Sequence, residues 1–256
     1  MKIFHLLGLA LVVQSSLSIL YFFSIPSAYS ISHKDAHFPA ARNKQSDIWG
    51  PRHGGEQSDT GARDDCWTDV PISLTVLGPD TNYGKTFSAW PTLWFYVPYT
   101  SNQITYGEFI LQNEDEYNVI EPVRFQLPNN DEAGFVSLSL SESISDLDVD
   151  QKYNWSFELF CSDISLTSVF VSGWIHVLAE TSISQQLDIV ANAPYEIYRD
   201  NFIWFDAVNT LMNHQDIQIV ESEVQIAWNE LMQDGNVLVE DITSTNIFGS
   251  VTVLDK

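Results

Sequence analysis

Between Ile72 and Leu178, apolar and polar residues alternate with period two in seven short stretches. Tyr153, Trp155, Phe157, Leu159 and Cys161 share one face of such a stretch, against Asn154, Ser156 and Glu158 on the other. Val123, Phe125 and Leu127 oppose Arg124 and Gln126 in the same way. This alternation marks half-buried strands, the habit of antiparallel sheets. The first strand puts Ile72, Leu74 and Val76 on one face, and a turn from Gly78-Pro79-Asp80 to Gly84 follows. The second, Pro91 to Tyr99, is heavy on both faces, with Leu93, Phe95 and Val97 on one and Trp94 and Tyr96 on the other. Such a strand is either covered twice or presents one face to a ligand. The third and fourth, near 104–112 and 119–127, flank the acidic turn Asn113-Glu114-Asp115-Glu116 and read as a hairpin. The fifth turns Val136, Leu138 and Leu140 inward. The seventh sets Val169, Val171, Ile175 and Val177 against Phe170, Trp174 and His176.

Seven strands of this length predict a mainly β fold, an immunoglobulin-like antiparallel β-sandwich. Leu147 and Tyr153 flank the turn before the Trp155 strand, loosely in the manner of a tyrosine corner. After Leu178 the period changes to about 3.6. Ile183, Leu187 and Val190 predict a short helix ending near Pro194. Trp204, Ala207, Val208 and Leu211 predict a helix from Tyr195 to His214, and Val220, Val224, Ala227, Trp228 and Leu231 another that stops at Gly235. These C-terminal helices need a surface for their apolar stripes. The second face of the sandwich, bearing Trp94, Tyr96, Phe170 and Trp174, is the expected one, which makes the whole α+β.

The expected organisation is a signal peptide over 1–30, a flexible linker over 31–65 and the sandwich over 66–179. A helical region over 180–235 follows, then a tail over 236–256 with at most one short strand, Ser250 to Leu254. Lys2 supplies the positive start of the signal, and Phe4 to Ile25 is mostly apolar. Ala28-Tyr29-Ser30 offers small residues for cleavage before Ile31. A retained signal anchor is the alternative, since the run is long enough to span a bilayer. Gln14, Ser15, Ser16 and Ser18 interrupt it and favour cleavage. The linker is polar, rich in glycine and proline, and holds Lys34, Arg42, Lys44, Arg52 and Arg63. Once the signal is cleaved, no stable membrane span is expected.

The chain carries 34 acidic against 11 basic residues, a formal charge of −23. That balance excludes nucleic acid as a natural partner and disfavours anionic lipid. The two cysteines, Cys66 and Cys161, are candidates for a disulfide in an oxidising compartment. It would close a loop of about 96 residues and add on the order of 4–5 kcal/mol in the chain-entropy model.

Chemistry is sparsely signalled. The phosphate-binding, dinucleotide, nucleophile-elbow and H-E-x-x-H motifs do not occur, and no cofactor, metal or catalytic residue is expected. His176 and His214 read as structural. Asp146, Asp148 and Asp150 open like a calcium loop, but Gln151 stands where glycine is needed and Phe157 where the closing glutamate belongs. Asn154-Trp155-Ser156 is a glycosylation sequon inside a strand. The candidate binding surface is aromatic: Trp90, Trp94, Tyr96, Tyr99 and Tyr106 cluster around the second strand and the start of the third.

Several stretches resemble a known family. They are Leu74 to Gly84 (LTVLGPDTNYG), Pro91 to Tyr99 (PTLWFYVPY), Glu108 to Gln112 (EFILQ), Tyr153 to Phe157 (YNWSF), Val171 to Ile175 (VSGWI) and Ile203 to Ala207 (IWFDA). Together they are similar to the cyanobacterial domain of unknown function 928, over roughly Cys66 to Leu231. The resemblance implies an exported envelope protein and no assigned activity. The sequence therefore reads as a periplasmic or extracellular, non-enzymatic module that binds an envelope protein or polymer. The alternative is a glycan-binding domain or a glycoside hydrolase using paired carboxylates and exposed aromatics.

Overall fold

A computed structural model of the chain describes residues 70, 72–140, 146–162, 167–179, 194–213, 221–235, 237 and 246–254. All of them belong to the second of two units, Ala41–Lys256. The expected signal peptide, linker, Cys66 and the helix through Ile183, Leu187 and Val190 lie outside the described residues, as do Val220 and His214.

The described strands are β1 (Thr75–Val76), β2 (Tyr83–Thr86), β3 (Thr92–Val97), β4 (Ile104–Asn113) and β5 (Val123–Gln126), then β6 (Gly134–Ser139), β7 (Lys152–Cys161) and β8 (Ser168–Val177). Helices α1 (Pro194–Asp200), α2 (Trp204–Met212) and α3 (Glu221–Asp234) follow, then β9 (Asn246–Ser250) and β10 (Thr252–Val253). They form a four-stranded sheet in the order β1-β3-β6-β9 and a six-stranded sheet in the order β10-β5-β4-β7-β8-β2. The protein is mainly β, a two-sheet sandwich with C-terminal helices, as the alternation predicts.

The inner faces carry the apolar residues of each alternating stretch. Phe95 of β3 stacks on Phe157 of β7 with ring centroids 3.9 Å apart, and its ring meets the edge of Trp155 at 5.8 Å. Phe157 also stacks on Phe125 of β5 at 4.9 Å. Leu93 and Phe95 pair with Leu138 and Val136, so β3 and β6 present one apolar surface to the opposite sheet. The tyrosine before that core is held as expected: the Asp148 N–H donates to the Tyr153 hydroxyl at 2.9 Å, and Leu147 is buried beside it. The acidic hairpin also forms, with the side-chain oxygen of Asn113 accepting from the N–H groups of Asp115 and Tyr117.

Four features depart from the sequence reading. The sandwich is antiparallel except at two edges, where β2 runs parallel to β8 and β9 parallel to β6. The first turn ends at Asn82, where φ is 55°, and Tyr83–Thr86 then forms the edge strand β2. The single helix expected from Tyr195 to His214 is two. Phe202 takes φ 59°, its N–H donates to the Arg199 carbonyl, and the Ile203 N–H donates to the Tyr198 carbonyl at 2.8 Å. This closure stops α1 with phenylalanine at the left-handed position that glycine ordinarily fills. Finally, the tail completes the sandwich. β9 joins β6, β10 joins β5, and only Val251 separates them, so the segment expected to hold one strand adds an edge to each sheet.

The helices cover only part of the surface assigned to them. The Trp94 indole N–H donates to the Asn209 side-chain oxygen on α2 at 3.1 Å. Phe135, the cross-strand partner of Tyr96, meets Trp228 of α3 edge to face. Trp204 is fully buried and donates from its indole to the Leu77 carbonyl at 2.8 Å. Gly235 ends α3 where a Cβ would fall 2.0 Å from that indole ring, so only glycine allows the approach. Phe170 and Trp174 stand apart from this packing, on β8 of the six-stranded sheet. The two outer faces of a sandwich point in opposite directions, and the helices lie against one. No helix among the described residues is long and apolar enough to cross a membrane.

Candidate functional site

The five aromatics expected to form one binding surface are dispersed. Trp94 and Tyr96 are buried under the helices, since alternation places them on the covered outer face of β3. Tyr99, two residues past the strand, turns into the core and is 2% exposed. Trp90 is partly buried, with its indole nitrogen enclosed and without a partner among the described residues. Tyr106 alone reaches an open face, that of the six-stranded sheet. Cys161 is buried at the end of β7, and no free cysteine is found among the described residues. Asp146, Asp148 and Asp150 are exposed, and no metal-holding group of carboxylate, thiol or imidazole side chains is found among the described residues.

The open face is built by the outward positions of β4, β5, β7 and β8 together with β2. Tyr106 and Phe160 are cross-strand partners and stack at 4.5 Å with planes 16° apart. The Arg124 guanidinium lies 5.1 Å from the Tyr106 ring centre and 3.2 Å from a Glu108 oxygen. Along β8, Phe170 is 45% exposed and Trp174 half-buried. Asn154 and Gln112 face each other across β7 and β4, and Ser156 and Ser172 across β7 and β8. Among the described residues the chain has four lysines and arginines, and three of them, Lys85, Arg124 and Lys152, stand on this face. Arg199, the fourth, is on α1 and bonds Asp200 and Glu230.

One end of the face holds a titratable cluster. Lys152, His176 and Lys85 form a row across β7, β8 and β2. The Tyr83 hydroxyl lies 2.6 Å from His176 Nδ1. Burial, helped by Glu114, pushes the Tyr83 phenol up to about 12. Burial, then the charges of Lys152 and Lys85, hold His176 below its ordinary value. At neutral pH the phenol is therefore the donor and Nδ1 the acceptor, which leaves Nε2–H as the ring's donor. Burial also lowers Lys85. Sequence reasoning missed Tyr83, Lys85 and Phe160. Phe160 was legible as an outward position of β7, whereas the other two sit on a strand whose four residues show no alternation.

A family model described as Domain of Unknown Function (DUF928) matches residues 58–247. The chain belongs to this family. No curated protein and no solved structure matches it. Part of the stretches that suggested the family falls on structural parts of the fold. The run Trp94 to Val97 is buried on both faces of β3, and Tyr99 beyond it is buried too. Gly173 lies against the Trp155 ring, and a Cβ there would fall 2.9 Å from it. Ile203, Trp204 and Phe205 are buried where α2 begins, and Asp206 beside them accepts from the Phe87 N–H at 3.3 Å. Other stretches reach the open face: Glu108, Gln112, Asn154, Ser156, Ser172 and Trp174 lie within them and stand on it.

Proposed function

We propose that this member of the Domain of Unknown Function (DUF928) family is an exported, non-enzymatic module of the cyanobacterial envelope, and that it grips an envelope polysaccharide through the open face of its six-stranded sheet. One observation carries the reading: aromatic rings and three of the four described cations share a single uncovered face in a chain of charge −23. An acidic body is repelled by acidic envelope polymers over most of its surface. The face holding Lys85, Arg124 and Lys152 is where that repulsion is weakest. Tyr106, Phe160, Phe170 and Trp174 supply ring faces for sugar stacking, and Asn154 and Gln112 supply amides for sugar hydroxyls. The apolar start of the chain supports export, with cleavage before Ile31, and a Cys66–Cys161 bridge suits the compartment it leads to.

Co-sedimentation of the processed protein with purified envelope polysaccharide tests this. The wild type is expected in the pellet, and the double variant Phe170→Ser, Trp174→Ala is expected to bind about tenfold more weakly. Wild type left in the supernatant, or a variant that pellets unchanged, overturns the proposal. A hydrolase is the second reading, because Glu108 and Glu158 stand directly opposite each other on β4 and β7. Arg124 engages one carboxylate, and Ser168 donates to the other at 2.5 Å. Release of new reducing ends from the same pellet would favour that reading.

A further inference from the structure

A cleft of about 450 Å³ opens on the other side of the sandwich, where β3, β6 and β9 meet the end of α2. Among the described residues no charged side chain lines it, a local exception in a chain with 34 carboxylates. Its polar groups are hydroxyls and amides. The Thr92 and Ser139 hydroxyl oxygens are 2.8 Å apart, and those of Ser137 and Ser250 are 2.9 Å apart. Each pair uses one O–H proton internally and keeps a second proton and free lone pairs for a ligand.

The amide of Asn209 is oriented by its neighbours. Its oxygen accepts from the Trp94 indole N–H at 3.1 Å and from Asn213 Nδ2 at 2.9 Å. That assigns Asn209 Nδ2 as the remaining donor, and Asn213 Oδ1 as an acceptor beside it. Met212 and Ile247 add apolar surface, with Ile247 48% exposed. Gly249 keeps one wall low. It has φ 100°, with nothing within 4 Å of where a Cβ would stand, and it follows a bulge that shifts the β6–β9 register.

We infer that this cleft binds a neutral saccharide of one or two rings. Adjacent sugar hydroxyls are each donor and acceptor at once, and the cleft answers them with hydroxyl pairs and a divided amide pair. The apolar edge of a ring can lie against Met212 and Ile247. Among the described residues a carboxylate or phosphate finds no cation here and a strongly negative chain around it, and a cation finds no carboxylate. The volume lies within the range of small-molecule sites. The cleft shares no residue with the open face of the six-stranded sheet.

The test is titration of the protein with glucose, galactose, mannose, maltose and cellobiose, with glucuronate as the charged control, followed by saturation-transfer NMR and calorimetry. Saturable binding of at least one neutral sugar is expected, with glucuronate about tenfold weaker or worse. The double variant Ser139→Ala, Asn213→Ala alters two solvent-facing positions, and it should weaken binding by about tenfold. Phe170→Ser with Trp174→Ala should keep the part of the binding that Ser139→Ala, Asn213→Ala weakens, which separates this site from the polysaccharide-gripping face. No saturable binding of any of the five neutral sugars overturns the inference. So does equal binding of glucuronate, or unchanged binding in a Ser139→Ala, Asn213→Ala protein that unfolds like the wild type.

Discussion

The two outer faces of the sandwich start from the same period-two pattern and end in different surroundings. On β3 the outward positions are Trp94 and Tyr96, and on β6 they include Phe135; helices α2 and α3 lie over them. On β7 the outward positions are Lys152, Asn154, Ser156, Glu158 and Phe160, and nothing in the described residues lies over them. The difference shows what a sheet's second face records. A strand whose off-face residues are large and apolar needs a covering layer, while one whose off-face residues mix amides, charges and a few rings can stand in water. Where helices lie over it the first face contributes stability, its uncovered margin holds the neutral cleft, and the open sheet is available for recognition.

This contrast can be broken by substitution. The largest effect is expected at Trp204, which locks the helices to the edge of the four-stranded sheet through Leu77 and Gly235. Trp204→Ala should cost about 3–5 kcal/mol in urea unfolding, by cavity formation and loss of the indole hydrogen bond. Phe135→Ala, on the covered face, should cost about 3 kcal/mol and loosen α3 in hydrogen exchange.

Acidity gives the next test. Burial lifts Asp206 from 3.8 to about 6, against the opposing hydrogen bonds from Thr86 and Phe87. The folded chain then holds this proton more tightly than the unfolded one. The stability contributed is complete below pH 3.8 and is lost as pH rises through about 6. Asp234 is lifted in the same direction, to about 6, chiefly by burial. Asp206→Asn should therefore stabilise the protein at pH 7 by on the order of 1–2 kcal/mol, and change little at pH 4. A melting curve unmoved by pH in the wild type would contradict this. Tyr153→Phe should cost about 1 kcal/mol by leaving the Asp148 N–H without its acceptor. Phe170→Ser, on the open face, should lie within about 0.5 kcal/mol of wild type. A large loss there would show that the bare face is a structural surface.

The inner face of the sandwich was readable because β7 and β8 alternate without a break over ten residues each. β2 was not, because Tyr83-Gly84-Lys85-Thr86 has neither length nor alternation, and it is a strand only through its pairing with β8. The break after Asp200 was hidden because Phe202 occupies a position where glycine would have announced it. The misplacement of the aromatic surface has a different cause. Trp94 and Tyr106 are near in sequence, but they belong to opposite sheets, and period two says which face a residue takes without saying which layer. The neutral cleft left no trace in the sequence, since its hydroxyls and amides come from positions between 92 and 250 with no shared spacing.

The crossover at Val251 has a further consequence for biogenesis. Until that stretch of chain is in place, β6 and β5 are unzipped margins, one in each layer, with backbone donors and acceptors open to any passing strand. The sandwich thus stays unsealed until that segment is made, and is most exposed to clumping with its own copies during that interval. A stop codon before Asn246 would make that transient vulnerability permanent.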